Sequence, residues 1–231
     1  STCADRAARR AAPGPIRPND SHRSTPQHPA PTVVIVVCGT WATQVALMSR
    51  EGHDWRDVAA AICREVDGPV SLEAVGNTAD ELVAMGLELV RFGPNVVVKV
   101  PMTTEGLKAV RILSGQGVDC NVTLVFSPMQ ALLAAKAGAA FVSPFVGRLD
   151  ALSEDGMQLV AETLTIFRNY AMPTRVIVAS IRHPMHVSRA ALLGAHIATI
   201  PFGVLGQLAA HPLTDAGLAA FDRDWARLNG K

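Results

Sequence analysis

From about residue 47 onward, short β-branched apolar runs alternate with longer amphipathic stretches, and this alternation constrains the fold more than any other feature. The runs are Pro69–Val75, Asn95–Val100, Asn121–Phe126, Ala139–Pro144, Arg175–Ala179 and Ile197–Ile200, with Val33–Val37 a candidate earlier one. Helical periodicity is expected over Asp54–Val66, Thr78–Phe92, Thr104–Gln116, Pro128–Ala137, Asp155–Tyr170 and Pro184–Leu193. Strands separated by helices require crossover connections, so the sheet is expected to be parallel. The runs are nearly all apolar, as strands are when helices cover both faces of a sheet. Thr78-x-x-Glu81 fits a capping box, whereas Thr103-x-x-Gly106 supplies only the cap. Gly117, Gly138 and Gly194 stand where a left-handed residue ends a helix. A closed (β/α)8 TIM-type barrel and an open doubly wound sheet both fit this pattern. No G-x-G-x-x-G follows the first strand, which weakens the dinucleotide-binding version.

The first 31 residues differ in kind. They are rich in Pro and Arg, hold only Asp5 and Asp20 as acids, and show no periodicity. Such a segment is expected to be disordered, with the barrel domain occupying residues 32–231. An Arg-rich, acid-poor start also mimics a transit peptide, but no apolar helical face accompanies it. Over the whole chain 21 basic residues face 20 acidic ones, a net charge of +1. Nucleic acids and anionic membranes are bound by concentrated basic faces, so neither is an expected partner. No apolar run approaches the roughly 18–20 residues of a membrane span. The four cysteines, Cys3, Cys38, Cys63 and Cys120, form no C-x-x-C pair. Free thiols in a reducing, cytoplasmic compartment are expected, and no zinc site.

Polar residues inside the apolar runs carry the functional signal. Glu73 lies in the first run, Lys99 in the second, and Asn121 and Thr123 in the third. Ser143 and Arg148 follow in the Phe141–Asp150 segment, and Ser180 and Arg182 end the Val176–Arg182 segment. Each polar group is expected toward the C-terminal end of its strand, the face on which barrel active sites form. A buried amine such as Lys99 can attack a ketone carbonyl to give an imine. Glu73 could move protons through a water held by the Thr123 hydroxyl. The alternative is a structural Lys99–Glu73 pair, or a lysine that snorkels out. Arg148, Ser180 and Arg182 suit a phosphate dianion. The alternative there is two surface arginines pairing with Asp150 and Asp155. His183 and His186 read as helix-start residues rather than metal ligands, and Cys63 and Cys120 as packing.

These residues resemble a known family. Residues from about Leu47 to Trp225 resemble the small, single-domain transaldolases, relatives of fructose-6-phosphate aldolase. The resemblance rests on Val66-Asp67-Gly68-Pro69-Val70-Ser71, on Asn95 through Thr103, and on Asn121 through Ser127. It continues in Ser143-Pro144-Phe145-Val146-Gly147-Arg148-Leu149-Asp150, Ala179-Ser180-Ile181-Arg182-His183-Pro184 and His211-Pro212-Leu213-Thr214-Asp215. It implies a (β/α) barrel that moves a dihydroxyacetone unit from sedoheptulose 7-phosphate to glyceraldehyde 3-phosphate, in the pentose phosphate pathway. By the same resemblance Lys99 is the Schiff-base lysine, and Glu73 and Thr123 hold the catalytic water. Asn121 lines the pocket, while Arg148, Ser180 and Arg182 bind phosphate with Ser143 nearby. Phenylalanine at 145 and glutamate at 73 go with transaldolase, where the fructose-6-phosphate aldolase carries tyrosine and glutamine. A phenol can donate a proton and a phenyl ring cannot. The resemblance implies sugar phosphate substrates and no metal or organic cofactor. It also implies a pentamer or decamer assembled through the C-terminal helix.

Upstream of Leu47 the sequence departs from the family. The family's first strand carries an aspartate, and its second ends in Thr-Thr-Asn-Pro. Here that motif falls on Ala42-Thr43-Gln44-Val45, where only Thr43 matches. The barrel is therefore expected with its first strand missing or replaced, with Thr43 as the remaining substrate-binding candidate. A shifted reading frame or an altered start would produce such a break, and the missing aspartate leaves as an alternative a non-catalytic phosphate-binding barrel that keeps Arg148 and Arg182.

Overall fold

Helices separate all the strands, and every strand pairing is accordingly parallel. The structure, a computed structural model, describes the backbone of residues 34–38 and the whole of residues 54–230, within the unit Pro31–Lys231. The segment expected to be disordered, and Thr43, lie outside the described residues.

Among the described residues seven strands alternate with helices. They are β1 (Val34–Cys38), β2 (Val70–Glu73), β3 (Val96–Pro101), β4 (Cys120–Val125), β5 (Phe141–Pro144), β6 (Arg175–Val178) and β7 (Ile197–Pro201). The helices are α1 (Trp55–Glu65), α2 (Ala79–Leu89), α3 (Thr104–Gly115), α4 (Pro128–Ala137), α5 (Val146–Asp150), α6 (Gly156–Asn169), α7 (Pro184–Leu193), α8 (Phe202–Ala209) and α9 (Pro212–Leu228). The sheet order is β1-β7-β6-β5-β4-β3-β2. Each strand from β2 to β7 thus lies beside its sequence neighbour, and β1 closes onto β7, as strands do around a barrel. Among the described residues no strand joins β1 to β2. The architecture is α/β: a curled parallel sheet with alternating helices, the TIM-type barrel with an altered N-terminal side. The strand β1 stands next to β7, where the first strand of a closed barrel would stand.

Two cores follow from the period-two geometry of the strands. Val96, Val98 and Val100 of β3 point outward into a large cluster with Leu82, Leu89, Val110, Leu113, Met157 and other helix residues. Val97, Phe141, Ile177 and Ile197 point inward and form a separate apolar layer. That layer fills the base of the curled sheet, beneath the polar residues of the site.

Local signals act as the sequence implies. Thr78 and Glu81 form a reciprocal capping box at α2, and the Thr103 hydroxyl accepts from Gly106 N–H at α3. Gly138 and Gly194 end α4 and α7 at φ +104° and +76°. Two differences are instructive. The helix expected over Thr78–Phe92 changes at Val90 to a 3-10 turn over Val90–Phe92. The helix α5 has five residues, too few to show a helical period in the sequence.

Candidate active site

Strand register brings the polar residues together. Glu73 pairs with Lys99, Lys99 with Asn121, and Pro101 with Thr123. Asn121 is near the start of β4, so the expectation of polar groups only at strand C-termini is corrected at this residue. The stagger of neighbouring strands, inherent in a tilted barrel, places it level with Lys99.

Lys99 is 8% exposed, and its Nζ donates to Glu73 Oε2 at 3.2 Å. Val98 and Val100 on either side face the helices and are fully buried. Because side chains alternate along a strand, Lys99 projects to the inner face. The bond fits both readings of this pair, a structural ion pair and an oriented nucleophile beside its proton acceptor.

Asn121 spans the interior. Its Oδ1 accepts from Ser143 Oγ at 2.8 Å, and its Nδ2 donates to Ser71 Oγ at 3.2 Å. Side chains of β5, β4 and β2 are thereby tied at one level, which orients the Asn121 amide. Ser71 is an addition to the sequence-derived set. It lies two residues before Glu73 and so on the same strand face, the signal that could have found it.

Thr123 is 1% exposed, and its hydroxyl has no hydrogen-bond partner. A buried unpaired hydroxyl is costly, about 1–3 kcal/mol, and native proteins rarely keep one without a reason. It sits where β4 slips register between Val122 and Val125, with Leu124 at φ +60°. A bulge of this kind re-aims side chains and recurs beside active sites.

The second group gathers at the β5–α5 and β6–α7 connections. Arg148 lies in α5, and Ser180 and Arg182 lie beyond the end of β6. Gly147 N–H donates to Ser180 O at 3.1 Å, and a Cβ on Gly147 would stand 2.5 Å from Arg182 Cγ. The stem of Arg182 therefore crosses the start of α5 beside Arg148. Ser180 holds φ +60°, a sparsely populated region for a residue with a Cβ. Phe145 is half-buried, edge-on to Phe126 at 5.9 Å, with the Arg148 guanidinium 5.1 Å over its ring.

The alternative pairing of these arginines is overturned. Asp155 forms a bidentate pair with Arg189 at 2.9 and 2.8 Å. Asp150 accepts Gly156 N–H at 2.9 Å with one oxygen and faces His186 Nε2 at 2.5 Å with the other. Among the described residues no carboxylate forms a salt bridge with Arg148 or Arg182. Both side chains are exposed. Exposed guanidinium groups that no carboxylate neutralises have the chemistry to bind an anion.

His183 and His186 start α7, as their spacing implies. Burial pushes the His186 imidazole below its ordinary value, against the pull of Asp150. Cys63 and Cys120 are free and buried, and burial, with Asp119 adding, pushes the Cys120 thiol up to about 12. A cleft of about 780 Å³ lies elsewhere, between the N-terminal ends of α2 and α3. Of its carboxylates, Glu105 is already held by Ala79 N–H and Lys108.

Comparison with known proteins gives the family. The family profile of transaldolase/fructose-6-phosphate aldolase matches residues 44–231. A protein of Maridesulfovibrio salexigens named probable transaldolase is 63% identical over 186 residues, covering 80% of this chain and 87% of that one. Proteins of the same name from Moorella thermoacetica and Aquifex aeolicus are each 56% identical over 189 residues, covering 82% of this chain and 88% and 87% of theirs. With a buried lysine on the third strand, its polar partners in register, and these matches along most of its length, the chain belongs to the transaldolase/fructose-6-phosphate aldolase family.

Proposed function

We propose that this protein is a transaldolase that transfers a dihydroxyacetone unit from sedoheptulose 7-phosphate to glyceraldehyde 3-phosphate through an imine on Lys99. The observation that carries the reading is a buried amine hydrogen-bonded to Glu73, on the strand next to an unpartnered buried Thr123 hydroxyl. In this reading the Lys99 amine attacks the ketose C2, and water leaves as the iminium forms. The C3–C4 bond then breaks, with its electrons flowing into the iminium while the C4 hydroxyl gives up its proton. The resulting enamine adds to the acceptor aldehyde, and water releases the product. Glu73 and a water bridged to Thr123 relay the protons. Asn121, oriented by Ser143 and Ser71, contacts the sugar hydroxyls. Arg148, Ser180 and Arg182 hold the phosphate. Glu73 and Phe145, in place of glutamine and tyrosine, favour transfer over simple cleavage. The proposed reaction belongs to the pentose phosphate pathway and includes a cytoplasmic location.

The same proposal includes a homo-oligomer. Leu218, Phe221, Trp225 and Leu228 of α9 recur at spacings of three and four, and the last three are 71%, 69% and 81% exposed. An apolar stripe of this size on one helix is a candidate interface between copies.

Borohydride trapping with fructose 6-phosphate tests the chemistry. A reduced adduct on Lys99, with transfer to erythrose 4-phosphate, is expected. Free dihydroxyacetone released without an acceptor would favour the aldolase. No adduct would overturn both.

A further inference from the structure

Asp150, His183 and His186 bring ligand atoms within 4.8 Å of one another, the one such group among the described residues. The hydrogen bonds already present argue against a metal there. His186 Nδ1 accepts the backbone N–H of Arg182 at 3.2 Å, and Nε2 lies 2.5 Å from Asp150 Oδ2. The other oxygen of Asp150 is taken by Gly156 N–H. A metal would have to break bonds at two of its three ligands, beside Arg189 and at the positive end of α7. The bonds also fix the tautomer. An acceptor at Nδ1 places the imidazole proton on Nε2, aimed at the carboxylate.

We propose that His186 is a positioning residue that sets the spacing of the Arg148 and Arg182 guanidinium groups. The inference rests on the reading of those arginines as a phosphate clamp. Arg148 is two residues before Asp150 on α5, and Arg182 is on the loop after β6. The two segments come from different strands, and the His186 ring bridges them, with one nitrogen on each. The ring is 3% exposed and lies against the His183 ring, with centroids 3.8 Å apart, which limits the room it has to turn. Gly147 N–H to Ser180 O and Val146 N–H to Ala179 O, both at 3.1 Å, join the same two segments below it. His186 supplies the joint nearest the guanidinium-bearing residues themselves. Without it, Ser180 at φ +60° is still held through its carbonyl, but the exposed Arg182 loses the bridge from its own backbone to α5.

The test is steady-state transfer to erythrose 4-phosphate, comparing fructose 6-phosphate with unphosphorylated fructose as donor. His186→Leu is expected to raise KM for the phosphorylated donor about tenfold, the size of one lost hydrogen bond near charge. Its kcat, and both constants for fructose, stay within about twofold. His186→Asn, whose amide oxygen takes the place of Nδ1, restores most of the loss. His186→Gln, which reaches only Asp150, restores less. Equal losses for both donors, or Gln matching or exceeding Asn, would overturn the inference. Should the Leu variant fail to melt cooperatively, the Asn and Gln pair decides by the same ordering. Arg182→Ala separates the two layers of the argument. If it loses donor discrimination while His186→Leu keeps it, the positioning role fails and the clamp stands. If the wild type does not discriminate at all, both fail.

Discussion

Gly147→Ala is the perturbation whose sign is most diagnostic. Gly147 lies in the first turn of α5, where alanine would ordinarily stabilise a helix by about 1 kcal/mol. Here the added Cβ would stand 2.2 Å from Ser180 O and 2.5 Å from Arg182 Cγ. A carbon–oxygen contact needs about 3.3 Å, so α5 and the Ser180 loop must part by about 1 Å. Both partners are constrained: the oxygen is backbone, and it already accepts from Gly147 N–H. Overpacking of this kind costs about 1–3 kcal/mol. At this chain length that lowers Tm by about 2–4 °C per kcal/mol, so the intrinsic gain is cancelled and Tm falls by up to about 8 °C. The functional effect is larger than the thermal one. A displacement of about 1 Å between Arg148 and Arg182 is expected to reduce kcat/KM for phosphorylated donors about 100-fold. Thermal unfolding by circular dichroism and kinetics with phosphorylated and unphosphorylated donors measure both. A raised Tm with undiminished use of the phosphorylated donor would refute the close approach and the clamp built on it.

Lys99→Ala is expected to abolish borohydride trapping while keeping a cooperative unfolding transition, since Glu73 remains partly exposed and solvated; adduct formation in that variant would remove Lys99 from the reaction. Thr123→Val should leave Tm unchanged or slightly raised, because the lost hydroxyl has no partner, yet transfer should fall by about 10²-fold or more if that hydroxyl holds the proton-relay water; undiminished transfer would refute the relay. Trp225→Glu in α9 should shift sedimentation toward the monomer, and an unchanged oligomer would place the interface elsewhere. Stability should fall as pH drops below about 6.5: burial lowers the imidazole values of both His186 and His196 in the folded state, so the unfolded chain takes up protons first. Denaturant midpoints from pH 8 to pH 5 measure this, and a flat profile would mean that neither ring is desolvated.

How much of this could be read without coordinates depended on the range of the interaction. Strand–helix alternation, the Thr78 capping box and the left-handed glycines are local, because they depend on residues within one turn or one pleat, and the sequence alone determined them. The polar residues Glu73, Lys99, Asn121 and Thr123 were legible for the same reason, since charge and amide groups stand out in apolar runs. Tertiary structure decided which of these residues meet. Register, not position along β4, sets Asn121 level with Lys99, and inward alternation adds Ser71 to the site. Which carboxylates are free was also a tertiary matter. The sequence leaves Asp150 and Asp155 open as alternative partners for Arg148 and Arg182, whereas in the fold His186, Gly156 and Arg189 hold them. The sequence determined the elements and the chemical groups because those follow from short-range periodicity and side-chain chemistry. Only the packed fold decided the pairings, because each hydrogen-bond acceptor at the clamp is contested by donors far apart in the chain.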